Sequence, residues 1–128
     1  AQKTASTYMK ISNMDQYDDA ANTKISLQMS GLRDGLDLKL QVVAPGANAK
    51  GDLGDIESDY ASLFSLTNSS ADDIITGIGT CYTGSAASDG YQLNYQLDVT
   101  GDGTDIWEDI ADGNANAVTT QIVYTIAN

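Results

Sequence analysis

The segment Asp98-Val99-Thr100-Gly101-Asp102-Gly103-Thr104-Asp105-Ile106-Trp107-Glu108-Asp109 is where residue types and spacing come nearest to a chemical site. Calcium takes six to eight hard oxygens, which a short loop supplies from alternate positions. Counting from Asp98, Thr100 and Asp102 follow at positions 3 and 5, Gly103 takes the sharp-turn position 6, and Asp109 takes the closing position 12. The candidate metal ligands are therefore Asp98, Thr100, Asp102 and Asp109, and the chemistry would be structural: neutralising a carboxylate cluster and stiffening a loop. A hairpin loop using Asp and Gly for turn geometry accounts for the same residues, so Ca2+ is the one cofactor the sequence leaves open.

Other chemistry is poorly supplied. Histidine is absent, which removes the commonest acid/base catalyst and transition-metal ligand. Cys81 is the single cysteine, so it has no partner for an internal disulfide and no histidine to activate it. Asp52, Asp55, Glu57 and Asp59 form one acidic group and Asp72-Asp73 another. Paired carboxylates hydrolyse glycosides only across a cleft, and Trp107, Phe64 and seven tyrosines offer little cleft wall. No phosphate-binding glycine loop or nucleophile elbow is present. The chain is expected not to be an enzyme.

Charge narrows the partners. Eighteen acidic and six basic residues leave a net charge of -12. Such a surface repels nucleic acid and attracts cations and basic proteins. No apolar run is long enough to span a bilayer as a helix. The start Ala1-Gln2, without Met, suits a chain released by signal peptidase, and a secreted location is expected. Asn68-Ser69-Ser70 matches the short N-glycosylation pattern.

The elements that must position these residues read as short strands. Thr23 to Ser30, Leu36 to Val43 and Tyr91 to Val99 alternate apolar and polar residues with period two. Gly31 to Gly35 reads as a hairpin loop between the first two of them. Ala44 to Asp55 reads as a polar loop, and Asp55 to Leu66 as a short helical turn followed by a strand from about Ser62. Asp72 to Tyr82 reads as a strand interrupted by Gly77 and Gly79. Ala117 to Ile126 closes the chain, with Val118, Thr120, Ile122, Tyr124 and Ile126 on one face. Seven or eight short strands without a long amphipathic helix predict an all-β sandwich. Residues 15–128 form this domain.

Residues 1–14 form a separate feature, an extended arm. Ala5, Thr7, Met9 and Ile11 alternate with Ser6, Tyr8, Lys10 and Ser12, and a polar, turn-prone stretch follows from Asp15 to Asn22. Such an arm either completes its own sheet or completes a neighbour's by β-augmentation. A head-to-tail contact of the second kind does not close and builds a filament.

The exported start, the alternating arm, the strand set and the closing run Val118-Thr119-Thr120-Gln121-Ile122-Val123-Tyr124-Thr125-Ile126 after Asp112-Gly113-Asn114 together resemble donor-strand-exchanging, pilin-like subunits of bacterial surface filaments. The resemblance is one of layout. It implies an immunoglobulin-like sandwich, copies of the chain as partners in a cell-surface homopolymer serving adhesion, and Ala5, Thr7, Met9 and Ile11 as the arm residues that contact the neighbouring subunit. The chain departs from many such subunits in lacking a disulfide, since Cys81 is alone. The acidic loop is similar to EF-hand-like and dockerin-type calcium loops, with Thr100 and Asp105 as departures. It motivates the alternative expectation: a monomeric extracellular binding module, calcium-dependent, recognising glycan or a surface partner through Trp107.

Overall fold

The computed structural model describes residues 2–14, 22–32, 35–99 and 120–127. Their elements are β1 (Gln2–Met9), β2 (Ser12–Asn13), β3 (Thr23–Ser30), β4 (Leu36–Val43), β5 (Lys50–Gly51), β6 (Asp55–Ile56), a 3-10 turn (Ser58–Ala61), β7 (Phe64–Ser65), β8 (Asp72–Ile78), β9 (Cys81–Tyr82), β10 (Tyr91–Val99) and β11 (Gln121–Ala127). The chain is all-β. The strands form two four-stranded antiparallel sheets, β1-β10-β4-β7 and β11-β3-β8-β6, and a small third sheet, β2-β9-β5. No helix among the described residues is long and apolar enough to cross a membrane.

Period-two patterning makes the core. Along β3, Thr23, Ile25, Leu27 and Met29 are buried, while Lys24, Gln28 and Ser30 are exposed. Leu40, Val42, Tyr91 and Leu93 of the first large sheet pack with Ile25, Leu27, Met29, Ile74, Ile75 and Ile78 of the second in one cluster. Each such side chain contributes about 1.5–3 kcal/mol when fully buried. Ile74 and Ile75 are adjacent yet both fully buried. Irregular β3–β8 pairing allows this, because the register shifts on both sides of Ile25. Gly77, with φ near 69°, bends the same strand in the left-handed region.

One expected connection is corrected. β3 and β4 do not form a hairpin, because they belong to different large sheets. Each offers one apolar face, and those faces meet across the core. Asn68 holds the arch between them. Its Nδ2 donates to the Leu32 carbonyl at 2.9 Å, and its Oδ1 accepts from the Leu32 N–H at 3.0 Å. The carboxamide of the glycosylation pattern is thus engaged in the fold.

Candidate functional site

β1 pairs antiparallel with β10 of its own chain, Gln2 opposite Asp98 and Met9 opposite Tyr91. The alternation predicted for the arm is present, but burial does not follow it. Every residue from Lys3 to Tyr8 is exposed, on both faces. Ala5 and Thr7 sit opposite Tyr95 and Leu93, so they share a face with the core row of β10. Nevertheless, no described strand covers them, and both are exposed. The second sheet reaches only as far as β11, whose Tyr124 hydroxyl bonds the Tyr95 hydroxyl of β10. β1 therefore projects beyond the cover of the second sheet. Among the described residues, Lys3 to Tyr8 are held by the β10 ladder and one side-chain bond, Ser6 Oγ donating to Asn94 Oδ1 at 2.7 Å.

The root of the arm is different. Met9 and Ile11 are half-buried against the core. The Ile11 N–H donates to Thr83 Oγ1 at 3.0 Å, and the Thr83 N–H donates to the Ile11 carbonyl at 3.1 Å. Thr83 itself is 1 % exposed, so these bonds form in a dry setting. Asn13 Nδ2 donates to the Gly79 carbonyl at 2.9 Å and to Thr23 Oγ1 at 3.2 Å. Of the four arm positions, the structure thus gathers Met9 and Ile11 into the body and leaves Ala5 and Thr7 on the free strand.

Gly90 allows the arm to pass. Its φ is 113°, and a Cβ there would lie 2.5 Å from the Met9 carbonyl oxygen. Gly90→Ala is expected to destabilise the chain by about 2 kcal/mol, combining backbone strain with displacement of the arm. A lowered denaturant midpoint, with faster amide exchange concentrated at residues 2–11, is the expected reading.

Of the acidic loop, the described residues include only the first two, Asp98 and Val99. Asp98 is half-buried at the end of β10, directly opposite Asp37. Like charges facing across a ladder repel, and Lys39 Nζ relieves them, 3.3 Å from Asp98 and 3.7 Å from Asp37. Gln96 Nε2 also donates to Asp98, at 3.0 Å. Thr100, Asp102, Asp109 and Trp107 lie outside the described residues. Among the described residues no group of three or more His, Cys, Asp or Glu side chains is placed to hold a metal ion.

Several of the other described acids have local partners. Glu57 accepts from Thr76 Oγ1 at 2.9 Å, Asp72 from the Tyr60 hydroxyl at 2.6 Å, and Asp73 pairs with Lys24 at 3.3 Å. Asp89 accepts from the Ala86 N–H at 2.8 Å and from Asn48 Nδ2 at 3.1 Å, and those bonds hold its carboxyl below the ordinary range. Cys81 is buried on β9, where desolvation pushes its thiol up and away from the reactive thiolate.

Patterning missed the tiny sheet β2-β9-β5 at the root of the arm, because two-residue strands carry no period. Gly51, at φ near 93°, marks that point; a Cβ there would lie 2.2 Å from the Thr80 carbonyl oxygen. A signal that was available is charge placement. Lys3 and Lys10 are the charged residues of 1–14, whereas residues 15–128 carry all 18 acids against four bases. Comparison with protein-family models, curated proteins and solved structures finds no match.

Proposed function

We propose that this chain is a structural subunit of an extracellular filament, an immunoglobulin-like, pilin-like sandwich whose N-terminal strand passes into a neighbouring copy. The observation that carries this reading is the state of β1: an eight-residue strand with neither face covered from Lys3 to Tyr8, held by one ladder. Detaching Lys3 to Tyr8 breaks backbone pairing but uproots little packed surface, and the half-buried root at Met9 and Ile11 comes away with them. The vacated edge of β10, with Tyr91 and Leu93 beside it, then accepts an identical strand with the same side chains in the same register.

Reach and charge support exchange. From Asn13 to Thr23 the chain can extend about 33–36 Å, and nine-residue β10 is about 30 Å long. The arm can therefore travel roughly the length of the body while the body stays folded. An arm with two lysines and no acid enters a neighbour whose remaining residues carry 18 acids and four bases, which favours encounter between copies.

Locking β1 in place tests this. Ser6 and Asn94 are directly opposed, and cross-strand pairs lie near the spacing a disulfide needs. Filaments are expected from the unmodified chain by electron microscopy. The oxidised Ser6→Cys, Asn94→Cys chain is expected to stay unpolymerised until a reductant is added. Polymer that forms equally well with the lock closed would refute strand exchange.

A further inference from the structure

The overhang of β1 creates a second feature. Among the described residues, the body has a step beneath β1 and beside β11, one strand wide and one sheet deep. Its floor is the free edge of β11, which pairs among the described residues with β3 alone. Its wall is the inner face of β1, with Lys3, Ala5 and Thr7 in one row opposite Leu97, Tyr95 and Leu93. β11 is seven residues long, uncharged and free of proline, with Val123 47 % and Ile126 50 % exposed. A long, flat, apolar edge of this kind recruits another strand.

The two strands at the step run the same way. Gln2 and Gln121 lie at the end where β3 passes to β4, because Gln2 is opposite Asp98, Asp98 is opposite Asp37, and Gln121 is opposite Ser30. A two-fold axis along the strands therefore brings β1 of one copy beside β11 of a second, and the second copy's β1 beside β11 of the first. Each overhang fills the other's step. Both large sheets then continue from one copy into the next, through one parallel joint each.

We propose that two copies of this chain interlock in this way, as a closed two-fold dimer in which each β1 stays paired with its own β10. A second copy is the occupant for two reasons. The step is self-complementary: eight residues of β1 meet seven of β11, and small Ala5 and Thr7 meet their own copies across the axis, with exposed Lys3 of the same row at the strand's end, where its ammonium group reaches solvent. In a chain with 18 acids, neither strand carries one, so this flank brings two copies together without opposing carboxylates. Fifteen residues per copy fall short of the roughly 20–30 of a standard interface, so the dimer is a weak one.

The proposal does not rest on strand exchange; the two make opposite demands on β1. Sedimentation equilibrium of the full chain carrying the closed Ser6→Cys, Asn94→Cys lock separates them. The locked chain is expected to dimerise with the affinity of the unmodified chain. Ala5→Glu or Thr7→Glu in the locked chain places carboxylates face to face across the axis and is expected to raise Kd at least tenfold. Thermal melting of the same samples is expected to stay unchanged, since both positions are exposed. A locked chain that is monomeric at millimolar concentration overturns the interlock. So does a dimer indifferent to both substitutions.

Discussion

A chain lacking residues 1–13 is expected to lose about half or more of its stability and to regain it when a peptide of those residues is added. The truncation leaves β10 as a bare edge and removes Met9 and Ile11 from the core margin, at up to about 1.5–3 kcal/mol each. It also leaves Thr83, 1 % exposed, without its backbone partner. A buried polar group stranded in this way costs about 1–3 kcal/mol. The total is comparable with the 5–15 kcal/mol that a whole domain holds in reserve. The free peptide presents the same lysines, the same alternation and the same ladder, so it is expected to raise the melting midpoint with a saturable dose dependence. A truncated chain as stable as the parent, or one that ignores the peptide, would show that β1 is an ornament on a finished fold.

The second large effect is steep destabilisation in alkali. Burial raises the hydroxyl pKa of Tyr60, Tyr91, Tyr95 and Tyr124 above the ordinary value of 10.0. For Tyr60 the bond to Asp72 adds to burial; for Tyr124 the bond to Tyr95 does. The sign follows directly. Above pH 10 the unfolded chain gives up these protons while the native chain keeps them. Their contribution is therefore complete below pH 10 and is lost as pH rises toward the folded values. Tyr60 and Tyr91 are 2 % and 1 % exposed, and each costs about 1.4 kcal/mol for every pH unit between its unfolded and folded values. Unfolding is expected between about pH 10 and 12, with the phenolate absorbance of these four tyrosines appearing together with loss of the β circular dichroism. Phenolate signals that rise smoothly while the fold persists would contradict it. Tyr60→Phe is expected to blunt the alkaline transition while stranding no charge, because Asp72 is exposed.

Much of this fold is legible where alternation is long. Thr23–Ser30, Leu36–Val43 and Tyr91–Val99 carry three to five apolar residues at every second position, and those strands lie where the pattern puts them. The turn before β7 is also legible, because Tyr60 and Phe64 meet edge to face, 5.1 Å between ring centres. Partners are not legible. Alternation assigns a face to Ala5 and Thr7 but does not say which strand lies alongside or whether anything covers that face. Their exposure depends on where β11 stops, a property of the whole assembly of sheets. The β3–β4 link misled for the same reason, since two alternating strands and a short glycine-flanked join suit an arch as well as a hairpin. For the acidic loop, Asp98 has its place at the end of β10, and Thr100, Asp102 and Asp109 lie outside the described residues.

The pairing of β1 with β10 also sets an order of events. Ser6 and Asn94 are 88 residues apart, and β11 must likewise travel back to β3 near the beginning of the chain. Contacts this distant in sequence close late, because the entropy of the intervening loop is lost before they give any return. The interior can assemble from β3, β4, β8 and β10 while both terminal strands are still loose. In that interval the edge of β10 is open to whichever first strand arrives, its own or another's. If strands exchange as proposed, local concentration during folding, more than the depth of the final energy well, decides how many chains finish alone.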